Sequence, residues 1–372
     1  MFDRLLVLEL ASVLAGPSVG QFLAELGARV IKVEPPSGDV TRSWYREGEA
    51  PSGTASYFAA CNFGKESVVL DLRSESGRRA ALQLAEKADV VLASFAPGSA
   101  ERLGLGADEL MRRNPGLIHA SVTGYGADDP RAGYDAVIQA ESGFMAINGS
   151  PEGPPTKLPV ALMDVLAAHH LKEAVLVALL ERGATGQGRA VSVSLIDAAV
   201  SSLANQATGW FATGREPARM GSAHPNIAPY GTVLETSDGV EILLAVGTDA
   251  QFDRLLGVMG LDPEDRFRTN AGRVRHRTEL EAMLRPAAAA IPSEALLPRL
   301  REARIPAGPV RKVSAALAET LTRLSDPTGP DGLRQWLPGR RAVPPPPGLG
   351  AHTRAVLREL TTLDPEEIDR LS

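Results

Sequence analysis

The sequence of 372 residues has a single cysteine, Cys61, and no long uninterrupted hydrophobic run. One cysteine cannot form an internal disulfide, which excludes a disulfide-stapled secreted scaffold and fits a reducing compartment. A membrane-spanning helix needs about 18 or more consecutive apolar residues, so we expect no membrane protein. The opening residues MFDRLLVLEL carry no basic leader before their apolar run, so we predict no signal peptide and a cytoplasmic location.

An excess of one charge and the common metal-binding motifs are also missing. The chain has 39 basic side chains against 45 acidic ones, and this mild net charge of −6 argues against nucleic acid or an anionic membrane as a partner. There is no H-E-x-x-H and no paired C-x-x-C, and among six histidines only His169 and His170 are neighbours. Adjacent helical positions diverge by about 100°, so we predict that the protein binds no metal.

The first 125 residues alternate short apolar runs with amphipathic segments. Strands are predicted over 5–10, 29–34, 67–72, 89–94 and 117–122, with a helix over 16–26. Continuous apolar strands separated by helices are typical of a parallel sheet covered on both faces, so we predict an α/β fold with a Rossmann-like sheet. Further along, the pattern predicts helices around 136–147 and over 165–182, the second ended by Gly183, then a strand over 190–195 and a helix over 197–211.

A smaller α+β domain is predicted near residues 225–312. Its elements are strands over 232–235 and 240–246 and helices starting near Ala250, Thr278 and Ser293. We predict a large domain from residues 1–205 plus 330–372, with linkers over 206–224 and 313–329. The amphipathic helices 351–360 and 365–371 are expected to dock on the large domain.

The opening strand, glycines and helix are similar to a dinucleotide-binding unit, and Glu34 ends the second strand about where a ribose-binding acid would fall. Residues 15–20, however, read AGPSVG, which is not G-x-G-x-x-G, and Pro17 has no amide to offer a pyrophosphate. The sequence therefore disfavours a nicotinamide site, while a βαβ edge that accommodates another nucleotide stays open.

Asp164 lies at the start of a long apolar helix in KLPVALMDVLAAHH. One interpretation is a helix N-cap, in which the carboxylate accepts a hydrogen bond from the second or third helical amide. The alternative is a nucleophile, kept ionised by helix amides and the helix dipole, with free N–H groups nearby to stabilise an oxyanion. The motif alone leaves both open.

Two further features allow a structural and a functional interpretation. Cys61 in AACNFG is most simply a small buried residue, since a nucleophilic thiol needs a basic partner that the sequence does not identify. An arginine cluster either forms a solvated face paired with neighbouring acids or contacts an anionic substrate. Its members are Arg266, Arg268, Arg273, Arg275 and Arg277.

Several stretches together resemble the family III CoA-transferases, the formyl-CoA transferase and CaiB/BaiF type. They are LELASVLAGPSVGQFLAELGARVIKVEPPSGDVTR, NFGKESVVLDLRSESG, APGSAERLGL, NPGLIHASVTGYG, GYDAVIQAESG, LMDVLAAHH and ERGATGQGRAVSVSLIDA. The resemblance implies a CoA-binding α/β domain in an interlocked homodimer. It also implies that Asp164 attacks an acyl-CoA to give a mixed anhydride, then carries CoA as an aspartyl thioester, and finally yields CoA to an acceptor carboxylate.

The resemblance further assigns CoA contacts to loops at strand ends. They are Val13, Leu14, Ala15, Leu70, Asp71, Leu72, Arg73, Ser94, Phe95, Ala96, Arg102, Gly133, Tyr134 and Asp135. Pro35 stands where formyl-CoA transferase has an arginine, and its shielding glycine-rich loop has no counterpart near Pro229–Thr232. Specificity for formate or oxalate is therefore not expected.

Three functions follow from the resemblance. The α-methylacyl-CoA racemases of the same family place a histidine after the glycine that matches Gly133, whereas this chain has Tyr134. A tyrosine is a poor general base near neutral pH, so a transferase is favoured over a racemase. A non-catalytic CoA-binding protein is the third candidate. The stretches ARMGSAHPNIAPYG and RFRTNAGRVRHRTEL resemble the subgroup that acts on short dicarboxylic acids such as succinate and C5 acids.

Overall fold

A computed structural model describes residues 2–50, 53–324 and 343–371 of the chain. Six parallel strands form its main sheet, in the order β3-β2-β1-β4-β5-β6. The strands are β1 (Leu6–Leu10), β2 (Arg29–Glu34), β3 (Lys65–Val69), β4 (Val90–Ala93), β5 (Ile118–Thr123) and β6 (Ala190–Ser194). The strand order reverses between β1 and β4, and in open parallel sheets the crevice outside the strand ends at this point is where ligands bind.

Helices cover both faces of the sheet, as predicted. The helices up to residue 213 are α1 (Ala15–Glu25), α2 (Ser56–Ala59), α3 (Glu75–Lys87), α4 (Ser99–Arg102), α5 (Ala107–Arg113), α6 (Asp135–Glu141), α7 (Phe144–Ile147), α8 (Leu162–Thr185), α9 (Leu195–Ser201) and α10 (Asn205–Thr213). Of these, α1 and α8 pack on one face and α3 on the other. Alternate strand residues point to opposite faces. Val7 and Val90 pack in the core with α1 and α8, whereas Leu8 and Val91 pack in the core with α3.

The C-terminal helices α16 (Thr353–Leu360) and α17 (Pro365–Leu371) return to this sheet. Val356, Leu357 and Ile368 are buried in the core that contains β3 and α3. The predicted docking of these two helices on the sheet-bearing body is therefore observed in the structure.

Helix α8 is longer than predicted at both ends. It begins at Leu162 and continues through Gly183 to Thr185. Gly186, not Gly183, ends it, because Gly186 adopts a left-handed conformation (φ 73°) and its N–H reaches the carbonyl of Arg182. Within the described part of the chain, no helix combines the length and apolarity needed to cross a membrane.

Three other predicted elements are divided or differ from their predicted bounds by more than two residues. The helix predicted over 197–211 is two helices, α9 and α10, separated by residues around Ala204, whose φ is 48°. The helical pattern around 136–147 likewise divides into α6 and α7 at Gly143, whose φ is 91°. Strand β3 begins two residues early, at Lys65, because the Lys65 ammonium is buried against Glu9 and a charged residue can therefore extend the strand. It ends at Val69, three residues before its predicted end.

A second compact unit consists of residues 146–156 and 215–324, and the first unit holds the other described residues. Its antiparallel sheet has the order β7-β8-β9, from β7 (Tyr230–Glu235), β8 (Glu241–Ala245) and β9 (Ala307–Pro309). Its helices are α11 (Asp249–Met259), α12 (Asn270–Arg275), α13 (Arg277–Ala289), α14 (Ser293–Glu302) and α15 (Val313–Leu324), and 3₁₀ turns occur at Asp265–Phe267 here and Val40–Ser43 in the first unit. The segments predicted as linkers thus contain helices α10 and α15, and residues 325–342 lie outside the described residues.

Candidate active site

Two adjoining cavities lie at the carboxyl edge of the parallel sheet, at the point where the strand order reverses. The first cavity, of about 530 Å³, lies outside the ends of β1, β2 and β3. The second cavity, of about 340 Å³, lies outside β1, β4 and β5 and includes Asp164. Ser12, Ser94 and Phe95 line both cavities. An extended ligand, such as a nucleotide with a long arm, fits two connected recesses better than a compact ligand does.

Most of the predicted CoA contacts line these cavities. Those of the first cavity are Leu70, Asp71, Leu72, Arg73, Ser94 and Phe95. Pro35, which stands where formyl-CoA transferase has an arginine, lines this cavity as well. Those of the second are Val13, Ala15, Ser94, Phe95, Ala96, Gly133, Tyr134 and Asp135. Leu14 and Arg102 line neither cavity, because Leu14 is the residue that caps α1 and Arg102 is an exposed side chain at the end of α4 that donates to Ser99 Oγ (2.6 Å).

Arg73 supplies a cation at the first cavity. Its side chain is 87% exposed and pairs with Asp71 (Nε to Oδ1, 3.0 Å), which raises the arginine pKa and lowers that of the aspartate. A guanidinium is suited to bind phosphate oxygens. Among the described residues, no group of three or more His, Cys, Asp or Glu lies close enough to hold a metal ion.

Gly124 and Gly133 allow two loops of the second cavity to meet. A Cβ on Gly124 would lie 2.5 Å from the Cα of Gly133, and a Cβ on Gly133 would lie 2.1 Å from the Cα of Gly124. Neither position can therefore carry a side chain without separating the loops. This close approach brings Tyr134 and Asp135, which follow directly, to the cavity that contains Asp164.

The N-cap interpretation of Asp164 is wrong. Ala161 is the residue that caps α8, and Asp164 lies inside the first turn. The helix amide of Met163 instead donates to Asp135 Oδ1 (2.8 Å), a carboxylate from the start of α6. Since Asp135 accepts this N–H of the first turn, Asp164 is not needed to begin the helix.

The Asp164 carboxylate has an unusual environment. Burial and, to a smaller extent, the negative charge of Asp135 raise the pKa of Asp164 to about 7. No side chain or amide of the described residues donates a hydrogen bond to this carboxylate. The expected hydrogen bonds from helix amides are therefore not observed, and burial favours the neutral form of the Asp164 carboxyl. The Asp164 carboxylate is half-buried at the cavity wall and has no protein donor, so its ionised form is accessible to a substrate as a nucleophile.

Tyr57, which the sequence analysis missed, is close enough to Asp164 to share its electrostatics. Burial, followed by the charges of Asp164 and other neighbours, raises the pKa of Tyr57 to about 12. Its ring packs edge-on against Trp44 at 5.0 Å between centroids. The hydroxyl thus stays protonated at neutral pH and is available as a hydrogen-bond donor.

The loop between β1 and α1, residues 11–14, is fixed by contacts that the sequence did not predict. Val13 has φ 70°, a left-handed backbone conformation that a β-branched residue rarely adopts. Its N–H donates to Asp39 Oδ2 (3.2 Å), and its carbonyl accepts from the buried thiol of Cys61 (3.4 Å). Burial raises the pKa of Cys61 to about 12, which agrees with a structural thiol. The usable signal in the sequence was Lys32, a lysine that interrupts the apolar residues Val30, Ile31 and Val33 in the interior of β2.

Glu34 is not available as a ribose-binding acid. Arg42 donates to both of its carboxylate oxygens (2.6 and 2.8 Å), and Ser67 Oγ donates to it as well (2.6 Å). The Glu34 side chain is buried. It therefore anchors the segment after β2 instead of contacting a ligand.

The arginine cluster does not form one surface. Arg266 and Arg268 pair with Glu264 (2.8 Å) and Asp265 (3.4 Å), which agrees with the solvated-face interpretation. Arg273 is fully buried and donates to the carbonyls of Ala228 and Phe267, so it is structural. Arg277 donates to the carbonyls of His224 and Ile227 and lines a separate cavity of the second unit.

Known proteins that are similar to this chain include several CoA-transferases. The chain is 37% identical to a succinate–glutarate CoA-transferase of Agrobacterium fabrum, over 96% of this chain and 95% of that protein. It is 35% identical to a succinyl-CoA:mesaconate CoA-transferase of Haloarcula marismortui, over 84% and 81%. The crystal structure of a CaiB/BaiF family protein from Brucella suis superposes with a TM-score of 0.84 at 40% identity, covering 96% of this chain and 98% of that one. Since the profile of CoA-transferase family III also matches residues 3–328, the chain belongs to CoA-transferase family III.

Proposed function

We propose that this CoA-transferase moves CoA between an acyl-CoA and a short dicarboxylic acid, with Asp164 as the covalently loaded residue. The single observation that carries the proposal is the Asp164 carboxylate itself, which lies in a cavity, is raised in pKa by burial and receives no hydrogen bond from the described residues. The dicarboxylate specificity is supported by relatives named for succinate, glutarate and mesaconate.

In the first half-reaction, a carboxylate oxygen of Asp164 attacks the thioester carbonyl of the acyl-CoA. The C–S bond breaks, and CoA leaves as a thiolate beside a mixed anhydride. The thiolate then attacks the aspartyl carbonyl, which releases the donor acid as a carboxylate and leaves CoA on Asp164 as a thioester. Both reacting acids are carboxylates, so the exchange needs no ATP.

In the second half-reaction, the acceptor carboxylate attacks the aspartyl thioester and displaces the CoA thiolate. The thiolate then attacks the acyl carbonyl of the new anhydride, which forms the product acyl-CoA and restores the Asp164 carboxylate. During both halves, the residues around Asp164 have to keep water from the anhydride and to present N–H donors to each oxyanion.

The two cavities divide the recognition of CoA between them. The first cavity, with Arg73 at its edge, would hold the nucleotide, and the second would hold the thioester end of the arm against Asp164. Gly133, Tyr134 and Asp135 would contact this arm. We also propose that the protein forms an interlocked homodimer and is located in the cytoplasm.

The racemase alternative is not favoured. The named relatives are CoA-transferases, and Tyr134, which stands where a racemase has its histidine, is 63% exposed. An exposed tyrosine hydroxyl is a poor group for proton transfer at the α-carbon near neutral pH.

The test is to trap the loaded aspartate. The protein is incubated with succinyl-CoA and then treated with hydroxylamine, which converts an aspartyl thioester to a hydroxamate that peptide mass spectrometry can locate. We expect the label on Asp164 and a loss of transfer of at least about 10⁴-fold in Asp164→Ala.

Asp128→Asn is the matched control, because Asp128 is an exposed carboxylate outside both cavities. It should keep the label and the rate. Full transfer by Asp164→Ala, or a label on another residue, would reject the proposal. A panel of free acids offered with succinyl-CoA identifies the acceptor.

A further inference from the structure

We propose that Asp39, paired with the buried Lys32, is a positioning residue for acyl transfer, because it holds the β1–α1 loop in a strained conformation beside Asp164. This inference rests on the proposed function. Val13 and Ala15 of this segment line the second cavity together with Asp164. Asp39 is also among the residues that line the first cavity, but its side chain is 1% exposed and both its oxygens are engaged by protein groups. Its effect on the reaction would therefore act through the loop.

One ion pair, Lys32 with Asp39, forms hydrogen bonds to the loop on both sides of Ser12. Lys32 Nζ donates to the carbonyl of Ala11 (2.8 Å), and Asp39 Oδ2 accepts the N–H of Val13 (3.2 Å). The two side chains are 3.0 Å apart, and each is 1% exposed. Ser12 is held separately, since its N–H donates to Ser94 Oγ (3.0 Å) at the end of β4. The backbone of the loop is therefore fixed at three successive residues.

The ion pair is itself prevented from moving. Lys32 also donates to Glu9 Oε1 (3.1 Å), and Asp39 Oδ1 accepts both the N–H (3.0 Å) and the Oγ1 hydroxyl (2.7 Å) of Thr41. Because every oxygen and donor of the pair is engaged, the carboxylate can occupy only one position. Val13 N–H then has one position as well.

The strain at Val13 explains why such a restraint is needed. A β-branched residue at φ 70° is unfavourable, and conformations of this kind persist only where the surrounding structure enforces them. The enforced turn begins α1 at Ala15, whose N–H belongs to the first helical turn and has no acceptor within the helix. Release of Val13 would move the wall of the second cavity relative to Asp164, and acyl transfer is sensitive to displacements of about 1 Å.

The main test is Asp39→Asn, with Asp89→Asn as the matched control. Asp89 does a similar task at the opposite edge of the same sheet, where it accepts the N–H of Leu6 (2.8 Å) and pairs with Arg182 (3.0 Å). We expect kcat to fall about 10- to 100-fold in Asp39→Asn, with a smaller change in the KM for acyl-CoA, and to stay near the wild-type value in Asp89→Asn. Equal kcat values for the two variants would overturn the inference.

A double-mutant cycle with Val13→Gly separates positioning from a general structural role. Glycine adopts positive φ without strain, so the Asp39→Asn penalty on kcat should shrink at least about threefold in the Val13→Gly background. Penalties that simply multiply would overturn the inference. If Asp39→Asn does not fold, Thr41→Val replaces it, because this variant removes one hydrogen bond to Asp39 without a change of charge. A wild-type kcat in Thr41→Val would also overturn the inference.

Hydrogen exchange gives a readout that does not depend on turnover. Peptides that cover residues 11–14 should exchange faster in Asp39→Asn than in wild type and in Asp89→Asn. Unchanged exchange overturns the positioning role even in a protein with no measured transfer. Conversely, an inactive wild-type protein whose loop does respond to Asp39→Asn would refute the proposed function and leave the restraint of the loop supported.

Discussion

Two aspartates at the carboxyl edge of the sheet, Asp39 and Asp164, face opposite electrostatic conditions. Burial alone would raise the pKa of Asp39, but Lys32 and the hydrogen bonds from Thr41 outweigh it and hold the pKa below its usual value. At Asp164, burial acts together with the charge of Asp135, and the pKa rises to about 7. Asp39 is buried and Asp164 is half-buried at the wall of a cavity, yet among the described residues only Asp39 receives donors and a cation.

This difference shows that two identical side chains at one edge of a sheet can have separate roles because their surroundings differ. The oxygens of Asp39 are all engaged by protein groups, so its task is to hold backbone in place. The oxygens of Asp164 have no donor among the described residues, so the folded chain gains little from them and they remain available to a substrate. Variants at each residue should therefore change stability in opposite directions.

The largest effect on stability is expected for Asp39→Ala. This change leaves Lys32 buried without its partner carboxylate, and the loss of one member of a buried pair costs about 3–5 kcal/mol. We expect the free energy of unfolding from urea denaturation to fall by this amount at pH 7. Because the pKa of Asp39 is lowered in the folded state, this stabilisation is complete above about pH 4 and is lost as the pH falls further. A loss below about 1 kcal/mol would contradict the comparison.

Asp164→Asn is expected to act in the opposite direction, raising the free energy of unfolding by about 2 kcal/mol at pH 8. The folded chain binds the Asp164 proton more tightly than the unfolded chain does, so ionisation of this residue costs stability as the pH rises through about 7. The gain from asparagine should therefore be largest above pH 7 and vanish near pH 4. Urea denaturation of both proteins across this range tests the sign, and a destabilised variant at pH 8 would contradict it.

The pH dependence of catalysis tests the cause of the Asp164 shift. Because the ionised carboxylate is the nucleophile, kcat/KM should rise with pH through about 7 and then level off. Asp135→Asn removes the neighbouring charge but keeps an oxygen for the N–H of Met163. The midpoint should then move to lower pH by about one unit or less.

Asp128→Asn is again the control, since it removes one negative charge from an exposed position. Its midpoint should match the wild-type value. If Asp135→Asn also left the midpoint unchanged, burial alone would account for the raised pKa of Asp164.

The sequence predicted the sheet well because buried parallel strands are continuous apolar runs. Leu6–Leu10 and Val90–Ala93 fall inside their predicted ranges, and the ends of these strands define the cavities. Whether Asp164 caps α8 could not be predicted from the local sequence, and the structure shows that it does not. The competing acceptor, Asp135, lies in another helix, and only tertiary structure shows that it reaches the N–H of Met163 first.

The strained loop was also beyond sequence analysis, for a different reason. Glycine normally marks a positive φ, and Val13 gives no such indication. The restraint comes from Lys32 and Asp39, and their contact depends on the packing of β2 beneath the loop. Features that arise from contacts between distant segments are therefore the ones that a local pattern misses.

The smallest effect is expected at Asp71, a third aspartate at the same edge of the sheet. Asp71 pairs with Arg73 at 3.0 Å, much as Asp39 pairs with Lys32, but Arg73 is 87% exposed. Exposed pairs are screened by water and ions and contribute little to stability. Arg73→Gln should therefore leave the urea midpoint unchanged while raising the KM for acyl-CoA by less than about tenfold, since Arg73 lines the first cavity. A large drop in the midpoint would show that pairing alone, without burial, distinguishes the structural carboxylates from Asp164.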